Sequence, residues 1–210
     1  VVFPEGKRND RSTISRFHKG AFLLAERYGL DIQPLIVHGL NVVLPRNSFQ
    51  VFTGSITVKG YDRVCQDGHT TYSEMTSRVY AFYKKEYERL AREIETAAYF
   101  APLVEDRYCY KGVEIYRSVH KNIKRNESFT RWIDTSENLS AVLIKNNDHG
   151  EFALLYALVH PSTLVTVLEE DESKRALLTY CAKGIADNLQ VTDHVDMKEA
   201  EEAGIKIISL

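Results

Sequence analysis

The stretch AVLIKNNDHGEFALLYALVHPSTLVTVLEEDESKRALLTYCAKGIADNLQVT, residues 141–192, decides the fold class. Its apolar runs at 141–144, 164–168 and 189–192 are short, rich in Val and Leu, and bounded by polar turns, as buried strands are. Between them, residues 151–159 and 171–184 carry enough apolar positions over enough length to form helices. Alternation of strand and helix is the pattern of a parallel, doubly wound sheet. The predicted class is therefore α/β, with residues 99–210 forming a helical lead-in and a reduced Rossmann-like parallel β/α domain.

Upstream of that stretch the period changes. Residues 99–126 read as helical, most regularly around Ile115 and Val119, with Tyr108, Tyr110 and Tyr116 as packing residues. Tyr72, Met75, Val79, Phe82, Tyr83, Tyr87, Leu90 and Ile94 follow spacings of three and four, with Lys, Arg and Glu between them. This predicts a helix of about 25 residues, set at 71–98 as a link between two domains. Residues 1–70 read as an opening strand, a polar loop over 5–15 and a helix over 17–28 that stops at Gly29. A buried strand over 32–37 follows, then two short strands, 49–52 and 55–58, as a hairpin around Thr53 and Gly54. That too is an α/β pattern.

Composition narrows the classes. Of the 210 residues 44% are hydrophobic and 27% charged, which excludes disorder, collagen and coiled coil. No apolar run approaches the roughly 20 residues of a membrane span. Cys65, Cys109 and Cys181 are widely spaced without any C-x-x-C pair, so no disulfide framework and no metal site is expected, and a reducing compartment is. The formal charge of −2 conceals a gradient: nine Lys/Arg against six Asp/Glu over residues 1–70, and six against twelve over residues 141–210. The basic front suits phosphate or an anionic membrane surface, and the acidic rear argues against nucleic acid. The opening Val1-Val2-Phe3-Pro4 has neither an initiator Met nor a basic signal region and reads as the start of a piece cut from a longer protein.

Phe3-Pro4-Glu5-Gly6-Lys7-Arg8-Asn9, then Phe17-His18-Lys19-Gly20-Ala21-Phe22, then Ile32-Gln33-Pro34-Leu35-Ile36-Val37 follow in order. Together they resemble the lysophosphatidate acyltransferase superfamily of glycerolipid acyltransferases, whose FPEGTRS motif here carries Lys7 for Thr and Asn9 for Ser. The resemblance implies the carboxyl-terminal half of an acyltransferase αβ domain in residues 1–70. Its substrates would be an acyl-thioester donor and a lysophospholipid or glycerol-phosphate acceptor, and acyl transfer would need no cofactor. Glu5, Gly6, Lys7 and Arg8 would form the acceptor site. Lys7 and Arg8 would hold the phosphate by charge-assisted hydrogen bonds, Gly6 would let the backbone approach, and Glu5 would touch the acceptor hydroxyl or orient the arginine.

The family's general base is the His of a His-x-x-x-x-Asp motif. None of the seven histidines of this chain has Asp five residues on, and His69 with Glu74 comes near. The resemblance therefore puts the base on a segment before Val1, and the isolated chain is expected to be inactive. His18 and His38 are read as loop and core residues.

Residues 142–191 are similar to class I S-adenosylmethionine methyltransferases. Their three turn glycines fall on Asn146, Asp148 and Gly150, and the acidic residue that takes the ribose falls on Glu169, nineteen residues after Gly150. Only Gly150 is retained, so S-adenosylmethionine is expected to bind weakly or not at all. Acyltransferase followed by a methyltransferase-like tail resembles large bacterial fusions headed by a lipid transporter, which implies work at the cytoplasmic face of a membrane, reached through the parent protein. Two other readings stay open: a non-catalytic interaction or membrane-docking module, and an S-adenosylmethionine-dependent methyltransferase.

Overall fold

The structure, a computed structural model, describes residues 1–7, 13–44, 51–145 and 148–209. It divides into two compact units, Val1–Ile94 and Glu95–Leu210.

In the first unit, Val1, Val2 and Phe3 are exposed and form no strand, contrary to expectation. Helix α1 (Gly20–Tyr28) starts three residues later than the spacing predicts, because Phe17 enters the core from the loop ahead of it. It ends where expected, at Gly29 in the left-handed region (φ 60°). Strand β1 (Leu35–His38) begins only after Pro34, which has no N–H to give a ladder, and Ile32 instead makes an isolated bridge to Val64.

A short helix α2 (Leu40–Val43) follows, and then β2 (Thr57–Gly60), antiparallel to β1 from Leu35↔Gly60 to His38↔Thr57. Among the described residues no hairpin forms around Thr53 and Gly54. Phe49 and Gln50 lie outside the described residues, Phe52 is buried outside any strand with its N–H on the Val43 carbonyl (2.9 Å), and the second strand is displaced to pair with β1.

Helix α3 (Tyr72–Ile94) matches its periodicity. Met75 and Val79 pack with Phe17, Phe22 and Ala25, while Tyr87 and Leu90 pack with Ile36. The helix read as a link thus buries its apolar stripe inside the first unit, and the unit boundary follows it. The opposite face of the two-stranded sheet leaves Leu35, Val37 and Val58 exposed.

The second unit opens with α4 (Ala97–Cys109), α5 (Val113–Arg125) and α6 (Glu127–Thr135). The single helical region expected at 99–126 is split ahead of α5 by Gly112 at φ 128°, and α6 was not expected. After them come β3 (Ala141–Lys145), α7 (Glu151–Val159), β4 (Leu164–Leu168), α8 (Glu172–Ala182), β5 (Leu189–Thr192), α9 (Met197–Glu202) and β6 (Lys206–Ser209). The four strands are parallel in the order β5-β4-β3-β6, so this unit is α/β and Rossmann-like.

Val142, Ile144, Val165 and Val167 lie in register on one face of this sheet and are buried. Helix α7 has no polar side, and every residue from Glu151 to Leu158 is buried. A helix apolar all round must be covered all round. Contacts from Phe129 to Phe152 (5.1 Å between centroids) and from Trp132 to Tyr156 (5.8 Å) bring α6 onto it. The chain leaves β3 toward β4 and returns on its other side as β6, which makes the carboxyl ends of β3 and β6 the switch point of the sheet.

Candidate functional site

The front motif folds as a turn. The Gly6 N–H donates to the Phe3 carbonyl (3.0 Å), with Pro4 at the second position where its fixed φ favours a turn. Two bonds hold this turn against the segment leading into α1: the Ser15 N–H donates to Glu5 Oε2 (2.6 Å) and the His18 N–H to the Pro4 carbonyl (2.7 Å). Glu5 therefore has a structural task that the sequence did not suggest. Gly6 has φ 67°, and a Cβ there would stand 2.9 Å from His18 Cδ2, so the exposed imidazole lies directly over the glycine. Lys7 is exposed, and Arg8 lies outside the described residues.

The turn separates two clefts of the first unit that share Glu5, Gly6 and Lys7. One, of about 770 Å³, is walled mainly by apolar groups, among them Phe3, Ile14, Leu35, Val37, Leu40 and Tyr83. The other, of about 710 Å³, is completed by residues 15–19, with Lys7, Arg16, His18 and Lys19 as its cationic and imidazole side chains. Lys19 Nζ also reaches Ser73 Oγ (3.3 Å) and stands 5.7 Å from the centre of the Tyr72 ring. Tyr83 donates its hydroxyl to the Leu35 carbonyl (3.2 Å), and burial raises its phenol.

His38 is a core residue as read, with its ring 5.4 Å from that of Tyr87. His69 and Glu74 do not pair as base and acid. Glu74 turns back on Thr71, accepting its N–H (3.0 Å) and its hydroxyl (2.7 Å), and the hydroxyl bond holds the carboxyl below its ordinary range. A histidine–carboxylate contact that the sequence did not reveal, His120 Nδ1 to Glu105 Oε2 (2.8 Å), lies between α5 and α4.

At the rear, Asn146 lies outside the described residues and Asp148 is half-buried in the turn before α7. Gly150 caps α7 at φ 84°. A Cβ there would lie 2.6 Å from Cδ2 and 2.8 Å from Cδ1 of Leu178, a fully buried residue of α8. The space beside this glycine is thus filled by the core of the second unit.

Glu151 is buried beside it, accepting from Asn122 Nδ2 (2.8 Å) and from the His149 N–H (3.0 Å), while Tyr108 donates to the His149 carbonyl (2.8 Å). Burial pushes the Tyr108 phenol well up. Pairing of Lys145 with Leu168 sets Glu169 one residue past the sheet edge, beside the end of β3. Glu169 Oε1 accepts the Asp171 N–H (3.0 Å), and its carbonyl accepts from Arg175 (3.0 Å).

Sequence reasoning named Glu5, Gly6, Lys7, Gly150 and Glu169 and did not name Arg16, Leu178, Glu151, Asn122 and Tyr108. Arg16 had a readable signal, a third basic residue beside His18 and Lys19. The others act through contacts far apart in the chain, which no local spacing encodes.

Among the described residues no three His, Cys, Asp or Glu side chains gather as a metal set, and no helix is long and apolar enough to cross a membrane. Cys65, Cys109 and Cys181 are free thiols. No family model, curated protein or solved structure matches this chain.

Proposed function

We propose that the front turn is the acceptor end of an acyl-transfer site, which passes an acyl group from a thioester to the hydroxyl of a lysophospholipid or glycerol phosphate. The observation that carries this reading is the position of Glu5, Gly6 and Lys7 between an apolar cleft and a basic one, the two environments an amphiphilic acceptor requires. In this reading Lys7 gives the phosphate a charge-assisted hydrogen bond, and Leu35, Val37 and Tyr83 line the path of an acyl chain. The acceptor hydroxyl attacks the thioester carbonyl, the carbon–sulfur bond breaks, and the hydroxyl proton passes through a general base to the leaving thiolate. The base is the histidine that the resemblance sets ahead of Val1, in a larger protein acting at the cytoplasmic face of a membrane.

For the second unit we propose a non-catalytic role. Leu178 over Gly150 and the Asp171 N–H on Glu169 both favour a turn closed on its own core over one open to S-adenosylmethionine. The deciding assay is acyl transfer to lysophosphatidate by the complete gene product. Glu5→Ala and Lys7→Ala are each expected to lower turnover about tenfold or more, since a hydrogen bond to a charged group contributes about 1.5 to 3 kcal/mol. Turnover unchanged in both variants removes the reading.

A further inference from the structure

Helix α5 carries a charge opposite to that of the sheet it covers. From Lys111 to Arg131 there are six Lys/Arg against two Glu, whereas over residues 141–210 of the same unit acids outnumber bases twelve to six. Val119 and Ile123 are the buried side chains of α5 and fix its inward side. At 3.6 residues per turn, Val113, Arg117, Lys121 and Lys124, spaced four, four and three apart, fall on one stripe directed away from those two, and all four are exposed. The three cations make no ion pair among the described residues, and Glu105 of the neighbouring α4 is engaged by His120 (2.8 Å). The residues of the second unit outside the description are Asn146, Asn147 and Leu210, none with an acidic side chain. The stripe starts from an apolar tip: Tyr110 (68% exposed) and Val113 (62%) flank the turn into α5, and Lys111 between them stands 3.6 Å over the ring of the half-exposed Tyr180.

We infer that the outward face of α5 docks the second unit on an anionic lipid bilayer. Arg117, Lys121 and Lys124 lie over the headgroups, where a negative surface potential attracts each of them, and Tyr110 and Val113 sit at the boundary with the acyl chains, the place that suits a tyrosine. Val119 and Ile123 stay in the core, so the helix rests on the surface without leaving its unit. A nucleic-acid backbone would satisfy the same cations but leave Tyr110 and Val113 in water, and the apolar tip therefore decides between the two anionic surfaces. The inference gives the second unit a task of its own and does not rest on acyl transfer by the first. The resemblance reaches a membrane through the parent protein, whereas this stripe belongs to the chain itself.

Co-sedimentation of the full chain tests this with vesicles of phosphatidylcholine alone and of phosphatidylcholine mixed with an equal part of phosphatidylglycerol. Binding is expected to the mixed vesicles only, and to fall as salt screens the stripe. Replacing Arg117, Lys121 and Lys124 together by Gln should weaken it roughly a hundredfold, about fivefold for each cation. Replacing Arg78, Lys84 and Lys85, exposed on α3 of the first unit, by Gln removes the same charge and should change little. Tyr110→Ser with Val113→Ser should weaken vesicle binding severalfold and leave retention on a duplex-DNA column unchanged. Circular dichroism checks that each variant is folded. The inference is overturned by a wild type that binds neither vesicle, by equal losses in the α3 and α5 triple variants, which would reduce the effect to net charge, or by a tip variant that binds mixed vesicles as the wild type does. Sedimentation does not read acyl transfer: a complete gene product without turnover would remove the acyltransferase reading alone, and a chain that transfers acyl groups but ignores mixed vesicles would remove this inference alone.

Discussion

Gly6 and Gly150 are both turn glycines at positive φ, 67° and 84°, and each has another residue's side chain where its own Cβ would be. At Gly6 that neighbour is His18, exposed and able to swing into solvent; at Gly150 it is Leu178, fully buried on α8. The same residue type therefore keeps space at the rim of a cleft in the first unit and is consumed by close helix packing in the second. A glycine aligned with a ligand-binding motif is informative only once the occupant of its missing side chain is known.

The largest expected effect follows from that difference. Gly150→Ala meets both a left-handed backbone, at about 1 to 2 kcal/mol, and overpacking against Leu178, at about 1 to 3 kcal/mol. Gly6→Ala should incur only the backbone cost, because His18 can move. Urea unfolding of the two variants measures this, and equal losses of stability would break the comparison. Leu178→Ala made in the Gly150→Ala background should cost less than Leu178→Ala alone, since the new methyl group then fills part of the cavity. The same packing predicts no saturable heat on titration with S-adenosylmethionine, and a dissociation constant in the low micromolar range would show that the leucine yields.

The two motif-adjacent carboxylates sharpen the contrast. Glu151→Ala strands the Asn122 amide and the His149 N–H in the interior of the second unit, and should cost about 1 to 3 kcal/mol. Glu5→Ala frees the Ser15 N–H at a half-buried place that water can reach, and should stay near or below about 1 kcal/mol while lowering the proposed acyl transfer. A Glu5 variant as unstable as the Glu151 variant would mean that the front turn is core and not rim.

Thiol chemistry reports on the same boundary without a ligand. Cys65 and Cys109 are exposed, whereas Cys181 is buried and its thiol is pushed up to about 11 by burial. Only a thiolate reacts, so a disulfide reagent near neutral pH should modify two thiols quickly and the third at the rate at which the second unit opens. Gly150→Ala should speed that third reaction and leave the other two unchanged.

Much of the second unit was readable because its strands are short apolar runs with helices between them, and periodicity fixes such elements locally. Its sheet needed one strand more, β6, whose alternation over 205–209 is too brief to be told from a tail. The first unit was less readable. The partner of β1 depends on a pairing of Leu35 with Gly60 across 25 residues, and a Thr-Gly pair offered a nearer turn that the chain does not use. Loop entropy favours the near partner; the fit of Ile36 and His38 against α3 favours the far one, and the packing prevails. The candidate site divides along the same line. Motif residues were legible, but the groups that close the rear turn reach it across the fold from α4, α5 and α8.

The smallest effect concerns acid. Asp67 is held at about 2 by the Thr70 N–H (2.7 Å), the His69 N–H (2.9 Å) and the Thr70 hydroxyl (2.9 Å), in the loop that leads into α3. Its folded value lies below the ordinary carboxyl value of 3.8, so the protonated form is disfavoured by the fold. What the ionised group contributes is complete above about pH 4 and is lost as pH falls through about 2. The group is fully solvated, so the change should be local: amide resonances of His69 and Thr70 should shift together with a midpoint near 2, while those around Gly150, shielded by Leu178, stay fixed. A midpoint near 4 at both amides would show that the loop does not hold its aspartate.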